Sequence, residues 1–170
     1  MNYYKKLDID YKLVASKTLE YVKLNRSSIK YFWTDFSFDK FSTHVPEIKL
    51  LFKNLNITPC HVSLITSLTS GEIHRDHTPS VARINIPILN CEGSQTKFWK
   101  TKTDPKLIYL PNNVPYFKFE EEDCELADVL VLDKATIIRI SEPHSVHVGE
   151  KVPRISLTID FQENIENLLN

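Results

Sequence analysis

Residues 70–90 read S-G-E-I-H-R-D-H-T-P-S-V-A-R-I-N-I-P-I-L-N, two short runs with β-branched residues (73–76 and 82–89) behind the turn signal Ser70-Gly71. Runs of this length bounded by turn residues are strand signals rather than helical ones. The same grammar extends in both directions. Further candidate strands fall at 62–68, 97–99, 107–110, 116–119, 128–132, 136–140, 145–148 and 155–161. Turn signals separate them at 90–93, 104–105, 111–115 and 148–153. Many short strands at regular spacing predict a sandwich or jelly roll.

Ahead of this run the character differs. Leu13, Val14, Leu19 and Val22 fall at helical spacing over 10–24, and a second helix is expected to open near Pro46 and run through Ile48, Leu50, Leu51, Phe52 and Leu55. Between them the aromatic patch 31–38 reads as core packing, either a strand or a packed loop. We therefore expect one domain over 1–170: a helical N-terminal part (1–56), a jelly-roll core (57–161) and a tail (162–170).

Composition sets the class. The chain has 170 residues, 42% apolar and 25% charged, enough for one sizeable core. With 21 basic and 22 acidic residues the net charge is −1, which gives no electrostatic footprint for a phosphate backbone and argues against nucleic acid as a partner. Cys60, Cys91 and Cys124 are odd in number and widely spaced, as suits reduced thiols in a cytosol. The first residues contain no apolar signal core, and no run of about 18 apolar residues occurs, so a soluble cytoplasmic protein without membrane attachment is expected. The run Glu120-Glu121-Glu122-Asp123 reads as a solvated loop.

The chemistry-bearing residues sit in two of the strands. On a strand His74 and Asp76, two apart, project from the same face, while Arg75 and His77 project elsewhere. A second stretch, E-P-H-S-V-H-V-G-E-K-V-P-R-I-S-L at 142–157, offers His144 and His147, which alternation puts on opposite faces, so that one of them reaches a shared ion. Two imidazoles and one carboxylate form the face used by non-haem Fe(II) oxygenases, which leaves positions open for a co-substrate and O2. Arg154 and Ser156 share a face on the last strand, and Arg83 and Asn85 share one on 82–89.

These two stretches resemble the Fe(II)/2-oxoglutarate-dependent dioxygenases, and most closely the aspartyl/asparaginyl β-hydroxylase-like and proline-hydroxylase-like members. The resemblance spans about 64–161. It implies a mainly β double-stranded β-helix, a jelly roll, with N-terminal helices packed on it. It selects His144 as the metal ligand, because the family pattern sets the ligand in a Pro-His-x-Val context ten positions before the co-substrate arginine; from His147 the interval is seven. The implied catalytic metal ligands are then His74, Asp76 and His144. Arg154 and Ser156 form the R-x-S pair for the distal carboxylate of 2-oxoglutarate, and a guanidinium suits that task because it offers a charged bidentate fork. Arg83 is a candidate second contact to the co-substrate or to a substrate carboxylate. Asn85 and His77 are weaker substrate-contact candidates, and Thr158 continues the Arg154 face.

The implied activity couples decarboxylation of 2-oxoglutarate to succinate and CO2 with hydroxylation of an unactivated C–H bond in an amino acid or peptide side chain. Retention of Asp76 favours hydroxylation over halogenation. Relatives that repair alkylated nucleic acid carry an arginine where this chain has Asp160, six residues past Arg154. Two alternatives stand beside this reading: a catalytically inactive jelly roll used for binding or assembly, and a hydrolase using another metal, such as zinc, on the same ligands.

Overall fold

A computed structural model describes residues 2–29, 33–110 and 113–170. Its elements in chain order are β1 (Tyr4–Lys6), α1 (Lys12–Leu24), β2 (Trp33–Phe36), α2 (Phe38–His44), α3 (Glu47–Leu51), β3 (Ile57–Ile65), β4 (Thr69–Ser70) and β5 (His74–Asp76). There follow β6 (Ala82–Leu89), β7 (Ser94–Thr101), β8 (Lys106–Tyr109), β9 (Pro115–Lys118), β10 (Cys124–Val131), β11 (Thr136–Arg139), β12 (His144–Val148) and β13 (Arg154–Phe161). Two antiparallel sheets result. One runs β1-β11-β6-β13-β3-β2, the other β10-β7-β12-β5-β9-β8 with β4 added beside β12. This is a mainly β jelly roll with helices on one side.

Strand β13 explains how a core and a site share one sheet. All eight of its residues are buried, yet they alternate Arg154, Ser156, Thr158, Asp160 with Ile155, Leu157, Ile159, Phe161. A strand with both faces buried normally reads as a continuous apolar run. Here the apolar half faces the helices and joins Val62 and Leu64 of β3, Ile84 and Ile86 of β6, and Val14, Tyr21 and Val22 of α1 in the main core. Complete burial of each Ile or Leu contributes about 1.5–3 kcal/mol. The polar half faces the opposite sheet.

The N-terminal segment departs from expectation in two respects. Residues 1–56 are not only helical, because β1 pairs with β11 and β2 with β3, so this segment supplies both edges of the six-stranded sheet. The aromatic patch is thereby part strand and part entry to α2, with Tyr31 and Phe32 outside the described residues. Helix α3 stops at Leu51 instead of reaching Leu55, and Phe52 turns its ring edge onto Phe161 at 5.4 Å. In α1 the buried stripe is Val14, Thr18, Tyr21 and Val22, while Leu13 is exposed; Thr18 fits the core by donating its hydroxyl to Val14 O at 2.7 Å. Among the described residues no helix is long and apolar enough to cross a membrane.

Candidate metal and oxo-acid site

Register builds the first half of the site. His74 on β5 stands directly opposite His144 on β12, and the two rings lie 4.6 Å apart between centroids. Asp76 follows two residues along β5, with its Oδ1 3.7 Å from His74 Nε2. One candidate ligand atom from each of His74, Asp76 and His144 lies within 4.8 Å of the others, a spacing a single ion can span. One cross-strand pair and one i, i+2 step therefore generate a three-donor cluster.

The backbone fixes which imidazole nitrogen is offered. His74 Nδ1 is 2.9 Å from Glu72 O, and His144 Nδ1 is 2.9 Å from Glu142 O. A carbonyl oxygen only accepts, so Nδ1 carries the proton in both rings, and Nε2 of the neutral imidazole is left with its lone pair. His144 is held neutral: burial, then the neighbouring His74, push its pKa down to about 4 despite the pull of Asp76. Burial also opposes ionisation of Asp76, but Arg83 and the two imidazoles outweigh it and hold this carboxyl below its ordinary value.

Arg83 does not project as an idle second anchor. Its Nη1 donates to Asp76 Oδ2, and its Nε donates to Asp160 Oδ1 at 2.6 Å. Both contacts are ion pairs, so Arg83 is first a partner of the candidate carboxylate ligand and of a second buried acid. Asp160 Oδ2 in turn accepts from His61 Nε2 at 3.0 Å. No motif in the sequence marks His61, and Asp160 enters the sequence pattern only as the position where relatives that repair nucleic acid carry an arginine. Alternation from Arg154 was the available signal for Asp160, since the two share a face of β13.

Arg154 is the opposite case. It is 3% exposed and donates from Nη1 to Ser156 Oγ at 3.1 Å, while its Nε is buried with no hydrogen-bond partner among the described residues. Burial lowers its pKa, and a guanidinium in such surroundings calls for an anion. Its neighbours in the register are Ile65 on β3 for Arg154 and Ser63 for Ser156, and neither is charged. A cavity of about 640 Å³ joins Arg154 and Ser156 to His74, Asp76 and His144. That volume is ordinary for a small-ligand site. An oxo acid with a second carboxylate suits this donor set: one end chelates an ion on the cluster, and the other satisfies the orphaned guanidinium.

The remaining candidates fall around this cavity. Asn85 stands opposite Thr158 across β6 and β13, and its Oδ1 is buried without a partner among the described residues. His77 is exposed at the rim, tilted against Phe117 at 5.1 Å. His147 lies apart from the cluster, because Ser145 Oγ is 2.9 Å from its Nε2 and Ser70 Oγ is 3.1 Å from its Nδ1. At the mouth, Tyr116 meets His74 edge-on at 5.9 Å and donates its hydroxyl to Glu72 at 2.8 Å.

No family model and no curated protein matches the sequence. Solved structures do. A Pseudomonas putida prolyl-4-hydroxylase aligns with a TM-score of 0.51 at 11% identity over 96% of this chain and 94% of that one. A non-heme alpha ketoglutarate dependent epimerase from nogalamycin biosynthesis, SnoN, aligns at 0.52 and 14% identity over 93% of this chain and 77% of that one. The same epimerase in complex with Fe3+, alpha ketoglutarate and nogalamycin RO gives 0.52 and 13% over 99% and 84%. The chain shares the fold of these enzymes. At these identities the likeness is one of fold, and the chemistry rests on the residues described above.

Proposed function

We propose that this protein is a non-haem Fe(II)/2-oxoglutarate-dependent dioxygenase that hydroxylates an unactivated C–H bond of an amino acid or a peptide side chain. One observation carries the reading. A His-Asp-His cluster and a buried arginine whose Nε has no partner among the described residues open onto the same cavity.

His74 Nε2, His144 Nε2 and Asp76 Oδ1 would hold Fe(II). Because Asp76 Oδ2 is engaged by Arg83, the carboxylate would offer the ion one oxygen rather than two, and three protein donors would leave room beside them for the 2-oxo acid and O2. When bound, the iron and 2-oxoglutarate would supply the oxidising chemistry with O2 as the oxidant, one oxygen atom ending in succinate beside CO2 and the other in the hydroxylated product. The protein's own work is binding and orientation. Arg154 and Ser156 receive the distal carboxylate, and that contact fixes how far the 2-oxo end extends towards the cluster. Ile138, Ile140 and Val146 line the same cavity and limit water beside the site. Asn85 and His77 are proposed substrate contacts, at the inner wall and at the rim respectively.

The prolyl-4-hydroxylase and the epimerase show that one fold hosts different outcomes, so product analysis decides between hydroxylation and other oxidations. The first experiment is an anaerobic titration with Fe(II) and 2-oxoglutarate, following the visible charge-transfer band of a bidentate 2-oxo acid on iron. The expected result is a band in the wild type that is lost in His144→Ala. Its absence in folded, iron-supplied protein would overturn the proposal and favour a binding role or another metal. Amino acids are the first substrates to screen, with succinate formation as the readout.

A further inference from the structure

A chain of ionisable side chains leads away from the candidate metal cluster into the protein: Asp76 to Arg83, Arg83 to Asp160, Asp160 to His61. Its inner members are 9%, 5% and 7% exposed respectively, and they come from three adjacent strands, β6, β13 and β3. A buried ion pair needs one anion per cation, and Asp76 alone would satisfy Arg83. The second acid is surplus to that pairing. Burying it costs desolvation, so its retention in the interior calls for a reason beyond packing.

Charge supplies one. An arginine on a ligand carboxylate draws its electron density away from an ion and repels that ion directly. With Asp160 on the other side of the guanidinium, the Arg83–Asp160 pair is close to neutral, and Asp76 keeps its full charge for the metal. Among a divalent ion, a dianionic oxo acid, Asp76, Arg83, Asp160 and Arg154 the formal charges cancel; without Asp160 that set carries one net positive charge. His61 Nε2 donates to the outer oxygen of Asp160, which leaves the inner oxygen facing Arg83.

We infer that Asp160, oriented by His61, is a positioning residue that neutralises Arg83 and so sets the affinity of the His74-Asp76-His144 cluster for a divalent metal. The inference rests on the reading of that cluster as a metal site. Outer partners of metal ligands commonly change affinity by about 10–100-fold when altered.

The test is a titration with Co(II), read by its visible absorption and by calorimetry at pH 8, on wild type, Asp160→Asn, Arg83→Gln and the double variant. Asp160→Asn leaves Arg83 on Asp76 without the second acid and is expected to bind Co(II) about 10-fold more weakly or worse. The double variant replaces both charges by amides of similar shape and is expected to recover binding to within about 3-fold of the wild type. A purely structural role predicts the reverse, with the double variant no better than the single. Where Asp160→Asn does not fold, the other arm of the cycle decides: Arg83→Gln, retaining the acid, is expected to bind Co(II) several-fold more tightly than the double variant. Unchanged affinity in Asp160→Asn, or equal affinity on that second arm, overturns the inference while leaving the metal site intact. If wild type takes up no Co(II), or His144→Ala takes up as much, the metal-site reading itself fails and this inference falls with it.

Discussion

Arg154 donates to Ser156 Oγ at 3.1 Å, two residues along the same face of β13, and keeps its own Nε buried and unpartnered among the described residues. A neutral hydroxyl compensates a buried cation poorly, so the ligand-free protein carries a cost that an anion would remove.

Replacing this arginine should therefore separate stability from binding. Arg154→Met removes the uncompensated charge and is expected to leave the ligand-free protein at least as stable as wild type in a thermal melt. Addition of metal and 2-oxoglutarate should raise the midpoint of the wild type, because a ligand that binds only the folded state stabilises it by mass action. The variant should lose that rise. A strongly destabilised variant would mean that Arg154 is balanced by something other than a ligand.

The two histidines of β12 give a second contrast. His144→Ala should abolish metal uptake, since its Nε2 belongs to the cluster. His147→Ala should retain uptake, because its ring is held by Ser145 and Ser70 away from the other donors. Loss of those two hydrogen bonds is expected to cost about 1 kcal/mol in denaturant melts. Metal binding lost in His147→Ala and kept in His144→Ala would reverse the assignment.

The sheet run is legible because short β-branched runs between turn residues are a local signal, and the common face of His74 and Asp76 because alternation is; the choice of His144 over His147 comes from the family resemblance. Strand β6 was legible to the residue, and His74 with Asp76 followed from spacing alone. The edge strand β1 was not, and β2 only as one of two readings of the aromatic patch, because three or four residues that pair only at a sheet edge carry little periodic signal of their own. The same holds for His61 and Asp160, whose meaning lies in a contact between β3, β13 and β6, three strands far apart in sequence. Arg83 is expected from the sequence as a second contact to the co-substrate or to a substrate carboxylate, and the structure pairs it with the protein carboxylates Asp76 and Asp160. No rule of spacing distinguishes a ligand's carboxylate from a protein's.

Gly71 lies between β4 and β5, and a third prediction concerns its lack of a side chain. Its amide donates to Val146 O at 2.9 Å, and a Cβ built there would lie 2.7 Å from that same oxygen. Backbone cannot give way as a flexible side chain can. Gly71→Ala should push β4 and β5 away from β12, costing about 1–3 kcal/mol of stability. Because His74 and His144 face each other across that seam, metal affinity should fall with it. An alanine variant with wild-type melting and wild-type uptake would show that the seam is adaptable.

The thiols supply a prediction in pH. Burial, with Asp160 nearby, pushes the Cys60 thiol up to about 12 from its ordinary 9.0. Burial also raises Cys91, against the pull of Arg154, and raises the half-buried Cys124 together with its acidic neighbours Asp123, Glu121 and Glu122. The thiolate is the reactive form, so raised values mean slow labelling at neutral pH. In native protein at pH 7.5, a maleimide should modify Cys124 slowly and leave Cys60 and Cys91 untouched until the chain unfolds, as read by mass spectrometry. The sign for stability follows from the same shift. Because the folded thiol of Cys60 holds its proton to higher pH than the unfolded one, its contribution is complete below the ordinary thiol value and is lost as pH climbs from about 9 towards 12. Denaturant midpoints should therefore decline over that range in wild type and decline less in Cys60→Ala; equal declines would show that other groups govern the alkaline limb.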